Sequence, residues 1–141
     1  MNILNKQTKI RLSLPPLEKF ADDVLRELQL KPENLSIAFV SNPVSAHLNK
    51  TYRKIAKATD VLSFPAEADA RLNRHRFLGD IAIAPAVASS YAKKNGRTLQ
   101  SEICILILHG ILHLLGYDHE TDRGQMNRIE RNLRRKFGLE S

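Results

Sequence analysis

The sequence predicts an α+β fold: a small mixed β-sheet packed with helices and built around one buried helix. Three observations lead there. Short apolar runs rich in β-branched residues, LSIAFV, VLSF and GDIAIA, alternate with helical patterns. The segment Ser101 to Leu115 is apolar nearly all round, as a helix in the middle of a domain would be. The chain has 141 residues, 43% of them hydrophobic, with no internal repeat, low-complexity tract or Gly/Ser linker, which suits a single domain over 1–141.

Taken in order, a short strand is expected at the N-terminus. Pro15 and Pro16 then open a helix whose apolar stripe is Leu17, Phe20, Val24, Leu25 and Leu28, and Lys31-Pro32 ends it. Leu35 to Val40 reads as a strand. Asn42-Pro43 supplies a cap and a first-turn proline for a second helix running towards Arg53. Val61 to Phe64 and Gly79 to Ala84 read as two further strands, separated by a loop from Pro65 to Phe77 that carries the basic run RLNRHR. Pro85 opens the next helix, and Gly116 stops the apolar helix that follows it. In the tail from Thr121 to Phe137, Met126, Ile129, Leu133 and Phe137 form one stripe, so an amphipathic helix docked by that stripe is expected. Strand order is not readable from these patterns.

Composition narrows the function. Twenty-two Lys and Arg against 15 Asp and Glu give a formal charge of +7, which favours polyanionic partners such as nucleic acid. Six scattered glycines build no phosphate-cradling loop, which removes nucleotide-binding folds of that kind. Cys104 is the single cysteine and sits in an apolar run, so a buried thiol in a reducing compartment is expected. MNILNKQTKIRLSLPP never builds the apolar core of a secretory signal, and ICILILHGILHLLGY is short for a span and holds two histidines. A cytoplasmic protein without membrane contact is expected.

The chemistry concentrates in HGILHLLGYDH. His109 and His113 are four residues apart, so on a helix they share a face, with Cβ atoms roughly 6 Å apart. Gly116 can take the left-handed conformation that turns the chain and brings His119 round to them. Three neutral nitrogen ligands with an open fourth position are the catalytic arrangement for zinc, whereas structural zinc favours four cysteine-rich ligands that this chain lacks. One zinc ion per chain is therefore expected. Nickel or another divalent metal is able to occupy the same histidines in purified material.

Zinc proteases with this spacing place a general-base Glu directly after the first histidine, where this chain has Gly110. A metallopeptidase is accordingly disfavoured, and the glycine is expected to leave room beside the metal. Asp118, inside the motif, is assigned a role in hydrogen-bonding a ligand histidine or capping the next helix, ahead of acting as a base. Glu102, seven residues before His109 and on the same helix face, either orients something near the site or pairs with a nearby cation. Thr59, Asp60 and Ser63 are assigned to turn and strand geometry, Asp80 to a turn or to hydrogen-bonding behind a ligand at the start of its strand, none of them to ligation, and His47 and His75 are left outside the site. Tyr52, Phe77 and Tyr91 are the aromatics nearest the motifs; base stacking is the alternative role for them, and packing is the expected one, since no aromatic-rich strand pattern accompanies them.

With those residues in view, the chain resembles the YbeY family of bacterial metal-dependent endoribonucleases. LNKTYRKIAKATDVLSFP, Leu48 to Pro65, is similar to the family's second signature, and LGDIAIAP, Leu78 to Pro85, to its third. The resemblance implies that His109, His113 and His119 bind zinc and that Arg53 is needed for activity on RNA. It further implies a single-strand-specific endoribonuclease of rRNA maturation, at the 16S 3′ end, and of ribosome quality control. Partners would be rRNA in the small ribosomal subunit, with ribosomal proteins or a ribosome-assembly GTPase as further candidates. Ala58 stands where the signature usually has proline, which touches loop rigidity more than chemistry.

Arg53 also has its own rationale, because a guanidinium clamps phosphate through two parallel hydrogen bonds. Lys54, Lys57, Arg71, Arg74 and Arg76 add positive charge that could extend a track for an RNA backbone. The alternative reading is a ribosome-assembly or RNA-binding factor whose metal is mainly structural.

Overall fold

The structure is a computed structural model that describes residues 1–66, 77–117 and 124–139. Four strands, β1 (Asn2–Asn5), β2 (Leu35–Phe39), β3 (Val61–Pro65) and β4 (Gly79–Ile83), form one mixed sheet in the order β1-β2-β4-β3. β1 and β4 both run parallel to β2, and β3 pairs antiparallel to β4 at the sheet's edge. Pro65 closes this edge strand opposite Gly79, where its missing N–H does not break the ladder. The helices are α1 (Leu14–Glu27), α2 (Asn42–Arg53), α3 (Pro85–Lys94), α4 (Leu99–Leu114) and α5 (Gln125–Lys136), and a 3₁₀ turn, Pro32–Asn34, leads into β2.

Strand alternation divides the sheet between two cores. Leu35, Ile37, Phe39, Ile81 and Ile83 point to one face, where they bury against α1, α4 and α5. Ala38, Val40, Leu62, Phe64 and Ala82 point to the other, where Leu48 of α2 packs on them. α4 lies in the larger core with Ile103, Ile107, Leu108, Ile111 and Leu112 fully buried. Each such side chain contributes about 1.5–3 kcal/mol relative to exposure. This burial fixes the helix that carries the histidines.

The α+β class, the buried central helix and the element order agree with the sequence reading, with shifts at the ends. Ser41, not Asn42, caps α2, its hydroxyl accepting from Val44 N–H at 3.4 Å, and Asn42 already lies in the helix. α4 starts two residues before Ser101, where Thr98 Oγ1 accepts from the Ser101 N–H at 3.0 Å. Of the tail helix, Met126 and Leu133 are buried with Ile129 and Phe137 packed against the same core, as the stripe requires. Its expected start at Thr121 lies outside the described residues, as does most of the loop with RLNRHR. No helix among the described residues is long and apolar enough to cross a membrane.

Candidate active site

His109 and His113 stand one turn apart on α4, their ring centroids 4.5 Å apart and their Nε2 atoms 2.9 Å apart. Glu130, reaching across from α5, lies 2.9 Å from His109 Nδ1. An ionised carboxylate only accepts, so the proton of this bond sits on Nδ1, and the His109 Nε2 lone pair faces His113. Arg134, one turn on along α5, approaches the other Glu130 oxygen at 3.6 Å. Glu130 is 8% exposed, so the charge-assisted bond forms largely out of water.

This donor set fits a metal. Two nitrogen ligands of one tetrahedral zinc, each 2.0–2.1 Å from it, lie roughly 3.3 Å apart, within a few tenths of an ångström of the spacing here. A carboxylate behind a ligand histidine is the usual support for such a ligand. Among the described residues no three His, Cys, Asp or Glu side chains gather for a metal. The third expected ligand, His119, lies outside the described residues together with Asp118. The turn leading to it is described: Gly116 adopts φ +93°, its N–H donates to the His113 carbonyl at 2.9 Å, and Tyr117 N–H donates to the Leu112 carbonyl at 3.1 Å. That paired bonding ends α4 at the glycine, as the sequence implied.

Both histidines open onto a cleft of about 790 Å³ that runs along edge strand β3. Arg53, the last residue of α2, lines the same cleft, as do Tyr52 and Asp60. A guanidinium from one face of the sheet and an imidazole pair from the other thus meet around its edge. Lys54, in a left-handed conformation that ends α2, and Lys57 are exposed on the following segment but do not line the cleft. Arg71, Arg74, His75 and Arg76 lie outside the described residues. His47 is exposed on α2, and Asp80 is an exposed residue of β4.

Three supporting residues escaped the sequence reading. Ser45, 2% exposed, donates through Oγ to the Thr59 carbonyl at 2.7 Å and accepts from Thr59 N–H at 3.0 Å. Asn49, 3% exposed, donates to the Lys57 carbonyl at 2.8 Å. These two side chains pin the segment around Ala58 beneath α2, so the cleft floor is held without a proline there. Glu130 is the third, and its signal was present: a carboxylate on the buried stripe of an otherwise basic helix.

Asp60 has its carboxyl held above the ordinary value, foremost because burial strips its hydration; the nearby charge of Glu102 adds to this, and hydrogen bonds from backbone N–H groups partly offset it. Glu102 pairs with Arg97 at 3.1 Å, the second of the two roles expected for it. Burial pushes the Cys104 thiol up to about 12, in keeping with a buried, unreactive cysteine.

Two expectations need correction. Gly110 does not leave room beside the histidines: it is buried against β4, and a Cβ there would lie 2.8 Å from Ile81 Cδ1 and 3.2 Å from both Ile81 Cγ atoms. The glycine lets α4 approach the sheet, close enough for Ser63 Oγ to donate to the Gly110 carbonyl at 3.3 Å. A protease-type Glu at this position would run into the sheet. Nor are the aromatics chiefly packed: Tyr52, Phe77 and Tyr91 are 64%, 42% and 45% exposed.

A family model for endoribonuclease YbeY matches residues 2–138. Among relatives described as endoribonuclease YbeY, the protein of Solibacter usitatus is 40% identical over 128 residues, covering 91% of this chain and 82% of that one. The protein of Helicobacter pylori strain J99 is 39% identical over 136 residues, covering 96% and 90%. That of Koribacter versatilis is 51% identical over 94 residues, covering 67% of this chain and 58% of the relative. The solution structure of TM1509 from Thermotoga maritima is similar with a TM-score of 0.66, at 24% identity, covering 97% of this chain and 89% of that one. At that identity the likeness concerns the fold.

Proposed function

The chain belongs to the endoribonuclease YbeY family, and from that premise we propose that it is a zinc-dependent endoribonuclease acting on single-stranded RNA. Its substrate is rRNA of the small subunit, cut in maturation of the 16S 3′ end and in ribosome quality control. The setting is the cytoplasm, and ribosomal proteins or an assembly GTPase are the candidate protein partners. The observation that carries the reading is the convergence of Arg53, His109 and His113 on one cleft.

His109, His113 and His119 would hold the metal. A bound zinc ion supplies a Lewis acid for a phosphate oxygen and lowers the pKa of coordinated water. Arg53 binds the non-bridging phosphate oxygens and stabilises the charge that grows on them. Glu130 keeps the proton of His109 on Nδ1 and so leaves the Nε2 lone pair to serve as the ligand. Asp118 hydrogen-bonds a ligand histidine. Lys54, Lys57, Arg74 and Arg76 attract the backbone on either side, each weakly and in a salt-dependent way.

One observation favours a second reading. The His109–Glu130 bond ties α4 to α5, so a metal at His109 would also brace the C-terminal helix, as an assembly factor with a structural metal requires. Substitution separates the two. His113→Ala and Arg53→Ala each abolish RNA cleavage in the nuclease reading while the domain stays folded. A folded Arg53→Ala variant that cuts RNA at the wild-type rate would overturn it.

A further inference from the structure

We infer that Tyr52 is a stacking platform for a nucleobase of the single-stranded RNA, seating the nucleotide whose phosphate Arg53 holds. The inference rests on the nuclease reading and adds a positioning residue to it. Tyr52 lines the cleft with Arg53, His109 and His113, yet 64% of it is exposed. Its ring meets Phe64 at 4.9 Å between centroids and 65° between planes. A contact at that angle is edge-to-face, and with most of the residue exposed it leaves ring surface open to solvent.

Phe64 is itself anchored in the smaller core with Val40, Leu62 and Ala82, so the platform stands on a fixed support. A ring held in place loses little freedom when a base settles on it, and every base has a face to offer, which suits a site that accepts single strands. Tyr52 and Arg53, both at the end of α2, line the same cleft, so base and phosphate of a nucleotide are served from one helix end. The formal charge of +7 favours a polyanion over an apolar peptide as the occupant. Phe77 and Tyr91 are also exposed, but neither is among the described residues that line the cleft.

The test combines Tyr52→Ala, Tyr52→Phe and Tyr52→Trp with a short single-stranded RNA and a set of copies carrying one abasic nucleotide, walked along the strand. Binding is read by fluorescence anisotropy and cleavage by KM and kcat. Stacking on an aromatic residue corresponds to about 5- to 150-fold in affinity. Tyr52→Ala is expected to weaken binding and raise KM by that factor with kcat little changed, while Phe and Trp retain it. One abasic position is expected to cost the wild type the same factor and to cost Tyr52→Ala nothing further. Wild-type affinity in Tyr52→Ala, or losses that simply add, overturns the inference. So does a variant that binds RNA normally but loses contact with a protein partner. Anisotropy keeps the two proposals apart, since RNA that binds but is not cut removes the nuclease reading and still reports on the platform.

Discussion

Replacing Glu130 by Ala removes the carboxylate that accepts from His109 Nδ1 at 2.9 Å and faces Arg134 at 3.6 Å. Two consequences follow, of similar size. A partner behind a metal ligand is typically worth 10–100-fold in metal affinity, about 1.4–2.7 kcal/mol. In the metal-free protein, a hydrogen bond to a charged group contributes about 1.5–3 kcal/mol. The longer Arg134 contact, at a side chain 26% exposed, adds at most a few tenths. A loss of roughly 2 kcal/mol corresponds to about 6–8 °C in Tm for a chain of this size. Glu130→Gln keeps an acceptor for Nδ1–H without the charge, so it is expected to fall between Ala and wild type in both measurements. The assays are zinc titration against a competing chelator and thermal unfolding of the metal-free proteins. If Glu130→Ala holds zinc with wild-type affinity, Glu130 does not support a ligand histidine, and the assignment of His109 fails with it.

Three further outcomes are expected. Gly110→Ala places a methyl 2.8 Å from Ile81 Cδ1 in a core where Ile81 is 1% exposed, so overpacking of about 1–3 kcal/mol outweighs the gain of about 1 kcal/mol in helix propensity. Thermal unfolding should show a lower Tm, partly restored by Ile81→Val, which removes the clashing carbon; an unaffected Tm would remove the close-approach account. Because burial raises the folded-state pKa of Asp60 above its ordinary 3.8, its contribution is fully present below that value and is lost as pH rises through the folded pKa. Asp60→Asn should therefore be the more stable protein at neutral pH, the difference vanishing towards pH 3.8 in melts across that range. Cys104, buried with its thiol pushed up to about 12, should resist thiol reagents at mildly alkaline pH until the chain unfolds, and rapid labelling of the native protein would contradict its placement.

Local pattern carried much of the fold, and its failures have identifiable causes. LSIAFV, VLSF and GDIAIA are strands within a residue or two of their expected bounds, because β-branched runs between turn residues leave few alternatives. The order β1-β2-β4-β3 depends on pairings between distant segments, which local patterning does not encode. The setting of Gly110 is hidden for a related reason: α4 is apolar on nearly every side, so its sequence does not reveal which side meets the sheet. Glu130 is not legible from an apolar stripe, because a carboxylate carries no hydrophobic signal. It lies four residues after Met126 and three before Leu133, on the same buried side. Arg53 and the two histidines are 56 and more residues apart in the chain, and only the fold around the β3 edge brings them to one cleft.

The central claim, a metal-dependent cut in single-stranded RNA made at the cleft of Arg53 and the histidines, is tested most directly by one measurement. Cleavage of single-stranded and duplex RNA is followed alongside the zinc content of the same preparation, for wild type and for His109→Ala at matched folding. About one zinc per chain, cutting confined to the single strand, and loss of both metal and cutting in His109→Ala are the results predicted here. Undiminished cutting by zinc-free protein, or by the folded His109→Ala variant, would contradict the account.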